Sequence, residues 1–395
     1  MAERGLSRKK NNIANYMDYT LLFIVIFLLG FGLVMVYSTS SYSANLQFDG
    51  DAAWYFRKQL WATALGIVVM MVVANIPYHF WEQFAVLGYI VSVVLILLII
   101  PFGTESHGAK RWLNIAGISV QPAEIAKLGM ILFLASMICT MGNRIRQKKG
   151  FFTVLIVPVP IAIMLWRITS NLSSAIIVMG IAVLMLFVSC PDYKRFVILG
   201  VVTLAAAALI VLVIVKMAES GAGDGESVGG FRGARILAWL DPEAYAVGKG
   251  FQTLQGLYAI GSGGILGKGL GNSKQKLGFI PEAQNDMIFS IICEELGLFG
   301  AFCVILLFLL MIWRFMIIAN NAADLYGTLI VSGIMAHIAI QVILNIGVVT
   351  NTIPNTGITL PFISYGGTST CFLLAEMGLA LSVSRGIRLE GNSHD

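Results

Sequence analysis

Apolar runs of roughly 20 residues, the length a helix needs to cross a bilayer, recur along this chain from Tyr19 to Arg385 with short polar breaks between them. Inside hydrocarbon every backbone N–H and C=O must be satisfied within the protein, so runs of this kind fold as helices. Of the 395 residues, 57% are hydrophobic and 12% charged, against about 25% charged in a soluble domain. The expected fold is therefore an all-α integral membrane protein, one polytopic domain over 1–395 with about ten transmembrane helices.

Spans are expected at 19–38, 59–77, 84–102, 123–141, 151–167, 172–190, 195–217, 287–313, 323–347 and 368–385. The fifth contains Pro158 and Pro160. The first is too long for a signal-peptide core and shows no small-residue cleavage site, so it is expected to be retained. Lys and Arg in the short loops set the orientation. With a cytoplasmic N-terminus, thirteen fall in inside loops, among them Arg8, Lys9, Arg144, Lys148, Lys194, Arg314 and Arg388. Five, namely Arg57, Lys58, Lys110, Arg111 and Arg167, fall outside. The segment 1–18 and the tail 388–395 are thus expected in the cytoplasm of a cell-membrane protein. The long loop 218–285, before the eighth span, is expected outside. It is glycine-rich and too poor in apolar residues for a separate domain; Phe251 to Ile265 is expected to be a short amphipathic or re-entrant piece. The five cysteines lie in or beside apolar runs with no metal-ligand spacing, which fits small core residues. The net charge of +5 is not clustered on a soluble module, so no nucleic-acid partner is expected.

Polar residues gather at the outer ends of the spans. Pro281-Glu282-Ala283-Gln284-Asn285-Asp286 leads directly into the apolar run from Met287, putting two carboxylates four residues apart at a membrane edge. Pro281 suits a first helical turn, Glu282 would sit near the positive helix end, and Asp286 falls one turn on. A charge at that depth is costly and usually functional. Glu124 and Lys127, after His107, Lys110, Arg111 and Trp112, are spaced i,i+3 and can neutralise each other. Ser364, Tyr365, Gly366 and Gly367 precede the last span. These three clusters are expected to form one outward-facing site. Glu294, Glu295, His337 and Glu376 lie deeper; Glu294 is roughly 12 Å along a helix from Asp286. They are read as a buried hydrogen-bonded network or as a proton or substrate path. The stretch from Gly261 to Gly271 fails the phosphate-loop pattern because Lys268 is followed by Gly269 instead of Ser or Thr. It is either a closely packed glycine turn or a backbone that approaches a pyrophosphate or sugar, with Lys268, Lys274 and Lys276 supplying charge.

The motif PFISYGGTS at Pro361–Ser369 resembles the signature of the SEDS family, the FtsW/RodA/SpoVE membrane proteins of bacterial cell-wall synthesis. GLVMVYSTS from Gly32 resembles the family's first span, above all in its FtsW and SpoVE branch. GAKRWL from Gly108, QPAEIAK from Gln121, the stretch from Gly250 to Lys276, PEAQND from Pro281 and EELG from Glu294 extend the resemblance over nearly the whole chain. Ala123 and Gly256 stand where the family usually has Ser, and Gln284-Asn285 where it has His followed by Thr or Ser. Asn171-Leu172-Ser173-Ser174 replaces a common Gln-Pro-Asp motif.

The resemblance implies a peptidoglycan glycosyltransferase that polymerises lipid II at the outer membrane face, in division or related wall synthesis, beside a class B penicillin-binding protein. It maps the family's essential aspartate onto Asp286, its fourth-span pair onto Glu124 and Lys127, and its arginine onto Arg111. Arg111, Lys127, Lys274 and Lys276 are then candidates to hold pyrophosphate. Glu124 and Glu282 could orient these groups or join a divalent cation; no other cofactor is called for. A lipid II flippase and a non-catalytic scaffold for the penicillin-binding protein are the rival readings. The former would place the weight on Glu294, His337 and Glu376 near the midplane.

Thiol labelling tests the orientation. In a cysteine-free background, Ser227→Cys should react with an impermeant maleimide on intact cells, and Ser393→Cys only after permeabilisation. The reverse pattern overturns it.

Overall fold

A computed structural model describes residues 17–106, 109–115, 117–190, 192–219, 230–248 and 250–387. The expectations for the segment before residue 17, for His107, for residues 220–229 of the long loop and for the tail from Arg388 lie outside the described residues.

The chain begins with α1 (Tyr19–Gln47), α2 (Trp54–Asn75) and α3 (Ala85–Phe102). Three strands follow, β1 (Gly103–Ser106), β2 (Ala109–Ile115) and β3 (Ile118–Val120), and then α4 (Pro122–Met141). Next come α5 (Lys148–Ile156), α6 (Val159–Arg167), α7 (Leu172–Ser189) and α8 (Tyr193–Glu219). The long loop carries α9 (Gly230–Leu240) and α10 (Phe251–Gly263), and the chain closes with α11 (Ile288–Asn320), α12 (Leu325–Val349) and α13 (Thr368–Arg385).

Among the described residues nine helical segments are long and apolar enough to cross a membrane. They coincide with the first nine expected spans, the fifth being α5 and α6 joined across Val157 and Pro158. The tenth, α13, is helical over its expected range but too polar to qualify by hydropathy. It is an interior helix, buried from Glu376 through Ser384 and packed along α2.

Two features depart from the expected layout of spans and loops. The segment after α3 forms an antiparallel sheet in the order β1-β2-β3, with Gly103 opposite Leu113 and Ile115 opposite Ile118. Gly117, at φ 83°, permits the reversal between β2 and β3 that a side chain would resist. The first helix also runs past its expected end at 38 to Gln47. Its run of hydroxyls stays helical because Thr39 and Ser40 donate back to the carbonyls of Met35 (2.8 Å) and Val36 (2.7 Å).

Charge ties the helices at both ends of the bundle. At one end Asp18 caps α1 by accepting from the Leu21 N–H at 2.9 Å. Arg314 of α11 donates to both of its carboxylate oxygens, and the Asp18 N–H donates to Ser384 Oγ of α13 at 3.2 Å. Toward the other end α11 breaks at Gly297, φ 68°. The break frees backbone groups that must find partners, and the glycine-rich stretch supplies them. Lys268 and Gly269 N–H donate to the carbonyls of Glu294 (3.0 Å) and Glu295 (2.9 Å). Leu298 and Phe299 N–H donate to those of Gly264 (2.9 Å) and Ile265 (3.1 Å). A Cβ on Gly263 would lie 1.9 Å from Cys293 O, and one on Gly267 2.2 Å from Glu295 O. Close backbone packing is therefore the use made of these glycines.

The adjacent carboxylates hold the same stretch. Glu294 accepts from Lys268 Nζ at 2.7 Å, from the N–H groups of Lys274 (3.1 Å) and Gln275 (3.3 Å), and from Ser273 Oγ. Glu295 pairs with Lys276 Nζ at 2.7 Å and accepts from Ser38 Oγ of α1 at 2.8 Å. Both carboxylates are fully buried. A buried pair contributes little over an apolar pair, but leaving one charge behind costs about 3–5 kcal/mol. Accordingly, Glu295→Leu should lower the melting temperature of detergent-purified protein strongly, and Glu295→Leu with Lys276→Met should restore most of it; additive losses would contradict this.

Candidate active site

At the end of the bundle away from Asp18, four loop regions close on the 281–287 segment. Asp286 sits just ahead of α11, partly buried. Asn345, near the end of α12, fixes its backbone, because the amide donates to Asp286 O at 2.9 Å and to Ile358 O at 2.7 Å. Gln252, in the first turn of α10, donates to the carboxylate at 3.1 Å. The Gln252 oxygen accepts from Asn355 Nδ2 at 3.1 Å, and the Asn355 carbonyl accepts from Arg235 of α9 at 3.2 Å. Gly357, at φ 67°, backs the carboxylate so closely that its missing Cβ would sit 3.8 Å from Asp286 Oδ2.

The electrostatics follow from this enclosure. Loss of water pushes the Asp286 carboxyl up to about 6. Glu282 adds to the rise, while Arg235 and the Gln252 bond oppose it. Arg111, on β2, feels the Asp286 charge as well; burial lowers its pKa and Asp286 counteracts that. Its guanidinium is aimed by the carbonyls of Thr169 and Ser170 between α6 and α7, both at 3.3 Å. Glu282 is exposed and accepts from Asn285 Nδ2 at 2.8 Å. The site is thus a carboxylate of raised pKa within electrostatic reach of two arginines.

The Ser364–Gly367 motif builds the wall instead of projecting groups into it. The Tyr365 N–H donates to Gln284 O at 2.9 Å, docking the motif on the 281–286 segment. Ser364 Oγ accepts from the Leu360 N–H at 2.8 Å. The Gly366 and Gly367 N–H groups both donate to Gln59 Oε1 of α2, at 3.1 and 3.2 Å. Phe362 turns at φ 63°, and its carbonyl would stand 2.4 Å from a Cβ on Gly32 of α1. Glu282 is likewise left-handed, at φ 50°. Such turns cost non-glycine residues about 1–3 kcal/mol and concentrate at functional sites.

Glu124 and Lys127 pair at 2.7 Å on α4, both nearly buried. Lys127 also donates to Gln341 of α12 at 3.4 Å, one turn along the helix from Asn345. The structure therefore gathers Asp286, Glu282 and Arg111 at the mouth, with Tyr365 in its wall, and sets Glu124 and Lys127 of α4 behind them, against α12. Lys276 is elsewhere, turned onto Glu295, and Lys274 has an exposed side chain and a backbone N–H on Glu294. Glu124 and Glu282 point to different partners. Among the described residues no three His, Cys, Asp or Glu converge to hold a metal, so the cation considered for them does not fit this arrangement.

Arg235, Gln252, Gln341, Asn345, Asn355 and Gln59 escape sequence reasoning. Only the α12 pair carried a signal: His337, Gln341 and Asn345 recur every four residues in an otherwise apolar span, which marks one polar helix face.

Comparison with known proteins follows the same lines. A family model described as "Cell cycle protein" and covering FtsW, RodA and SpoVE matches residues 19–388. The chain is 38% identical to Stage V sporulation protein E of Bacillus subtilis over 371 residues, 93% of this chain and 97% of that protein. It is 36% identical to the probable peptidoglycan glycosyltransferase FtsW of Trichlorobacter lovleyi over 384 residues, 97% and 96% of the two chains. The fold matches, at a TM-score of 0.74 and 27% identity, a chain of a peptidoglycan synthase complex solved to show how polymerization and crosslinking are coordinated. That match covers 95% of this chain and 99% of the other.

The site makes a prediction about proton occupancy. Asp286 should be protonated below about pH 6 and ionised above it. Glu282→Gln removes a like charge and should move that midpoint down, whereas Gln252→Leu should move it up. The carboxyl infrared band, assigned by its loss in Asp286→Asn, reads both shifts.

Proposed function

The chain belongs to the FtsW/RodA/SpoVE family of cell cycle proteins, and we propose that it is a peptidoglycan glycosyltransferase that polymerises lipid II at the outer face of the cell membrane. The observation that carries this reading is Asp286, a half-enclosed carboxylate lifted to about 6 at the mouth of the bundle, within electrostatic reach of Arg111 and Arg235. Both termini lie in the cytoplasm, as the distribution of Lys and Arg favours, so that mouth faces outward.

The reaction joins the hydroxyl of an acceptor sugar to the anomeric carbon of a lipid-linked donor. The new O–C bond forms as the bond from that carbon to the pyrophosphate oxygen breaks. Asp286 takes the hydroxyl proton, and a carboxylate titrating about 6 is suited to do so near neutral pH. The lipid pyrophosphate leaves with its electron pair, and Arg111 and Arg235 face the charge that builds there. Lys127, held by Glu124 and Gln341, adds positive charge behind them. Gln252 and Asn345 hold the carboxylate and its backbone in place.

The lipid tails have a route as well. No residue in the apolar window of α8 is buried. Between α8 and the α6–α7 pair runs a groove of ≈ 910 Å³, lined by Ile163, Trp166, Met179, Phe196 and Leu199 among others. Its apolar lining suits an isoprenoid chain. A class B penicillin-binding protein is the partner that would crosslink the product; the coordination of polymerization and crosslinking in the related synthase complex supports that assignment.

Asp286→Asn should abolish glycan formation from lipid II by the purified protein, with or without a transpeptidase, while leaving its melting temperature and membrane insertion near the wild-type values. Undiminished polymerisation by that variant would remove Asp286 from the chemistry.

A further inference from the structure

His337, Gln341 and Asn345 form one polar stripe on α12, and the stripe continues into α13 through Glu376. His337 Nδ1 lies 2.7 Å from Glu376 Oε2, and His337 Nε2 lies 2.9 Å from Gln341 Oε1. The same Gln341 oxygen faces Lys127 Nζ at 3.4 Å, and the Gln341 N–H donates to Thr359 O at 3.0 Å. All four side chains are buried, His337 at 0% and Glu376 at 1% exposure.

This arrangement leaves no freedom in the Gln341 amide. Turning it over would set NH₂ against the Lys127 ammonium and oxygen against the Thr359 carbonyl, two clashes of like polarity. With the oxygen fixed toward His337, Nε2 must carry a hydrogen, because only a donor can face that oxygen. The Nδ1···Oε2 contact then holds one proton. Either Glu376 is protonated and donates to a neutral ring, or the ring is charged and donates to a carboxylate. The pair is neutral as a unit in both forms, which suits groups with no access to water.

Thr359 belongs to the segment that walls Asp286. Within four residues of it, Ile358 O is bonded to Asn345, Gly357 backs the carboxylate, and Asn355 bridges Gln252 and Arg235. We infer that Gln341 is a positioning residue for polymerisation: its amide, held in one orientation by His337 and Glu376, ties the Lys127 ammonium to the backbone that walls Asp286. The inference rests on the glycosyltransferase reading, and its action on rate is indirect. Displacing a reacting geometry by about 1 Å can cost up to roughly 100-fold.

The test has a spectroscopic arm and a kinetic arm. The chain has four histidines, so ¹⁵N-histidine spectra of the full-length protein in nanodiscs can be assigned, with His337 identified by its loss in His337→Gln. The wild type should show His337 in a single form with Nε2 protonated. Gln341→Leu should lower kcat for lipid II polymerisation about tenfold or more while KM stays within about twofold. Glu376→Gln can donate an amide N–H to the Nδ1 of a neutral ring, so it should keep both the hydrogen on Nε2 and kcat, whereas Glu376→Leu should lose both. A wild-type His337 lacking hydrogen on Nε2 overturns the inference, as does Gln341→Leu working at the wild-type kcat. So does equal behaviour of Glu376→Gln and Glu376→Leu. Failure of the glycosyltransferase reading looks different: the wild type itself makes no glycan, and the histidine spectrum still decides the hydrogen-bond network.

Discussion

A polar atom buried in a bundle surrounded by hydrocarbon has only the protein to bond to, and α12 is where this chain concentrates such bonds. Three side chains at four-residue steps reach α4, α13, the 355–360 segment and the backbone of Asp286. Each contact satisfies a group that would cost several kcal/mol unpaired. The stripe therefore does for the interior what a ladder does for a sheet, fixing the relative placement of elements far apart in sequence. The Asp286 carboxylate is one of the things so placed. Its enclosure, and hence its raised affinity for a proton, depends on where Asn345 holds it.

A second set of bonds works from the other flank. Glu294 and Glu295 grip the glycine-rich stretch that the break at Gly297 invites in, and through Ser38 they reach α1. That grip sets the course of the chain from α10 to Pro281, and so the approach of Gln252 to Asp286. The deep carboxyl groups are thus accounted for by structure: Glu294 and Glu295 each have a lysine, and Glu376 shares a hydrogen bond with His337. This leaves a midplane transport path with no unpaired charge among these residues to work with, while the mouth retains a carboxylate of altered acidity.

The helices were legible in the sequence because burial in lipid imposes a length and an apolar composition, and both leave plain marks. The end of α1 was not, since hydroxyls that bond back to their own helix look like the end of a span. The sheet after α3 was missed because strands of three to seven residues carry too little pattern to stand out between apolar runs. At the site, Asp286, Glu282 and Arg111 were readable as charges at span ends. Lys276 was readable as a charge too, but which carboxylate a lysine finds is decided by folding, and it found Glu295. Amides such as Gln252 and Asn355 gave no signal, because their value lies in what they bridge. The Ser364–Gly367 motif was conspicuous for its glycines, yet its donors are taken up by Gln59, a residue some three hundred positions earlier.

The left-handed turns at Glu282 and Phe362 carry a consequence for anyone who would make this protein hardier. Glycine relieves the backbone cost at such positions, so a library sorted on heat tolerance alone would be drawn to the exposed Glu282, though not to Phe362, whose ring is buried in the core. At Glu282 that choice deletes the charge that helps keep a proton on Asp286. The sturdier proteins from such a sort would carry a more acidic Asp286, and heat tolerance would be misleading as a proxy for the chemistry of this site.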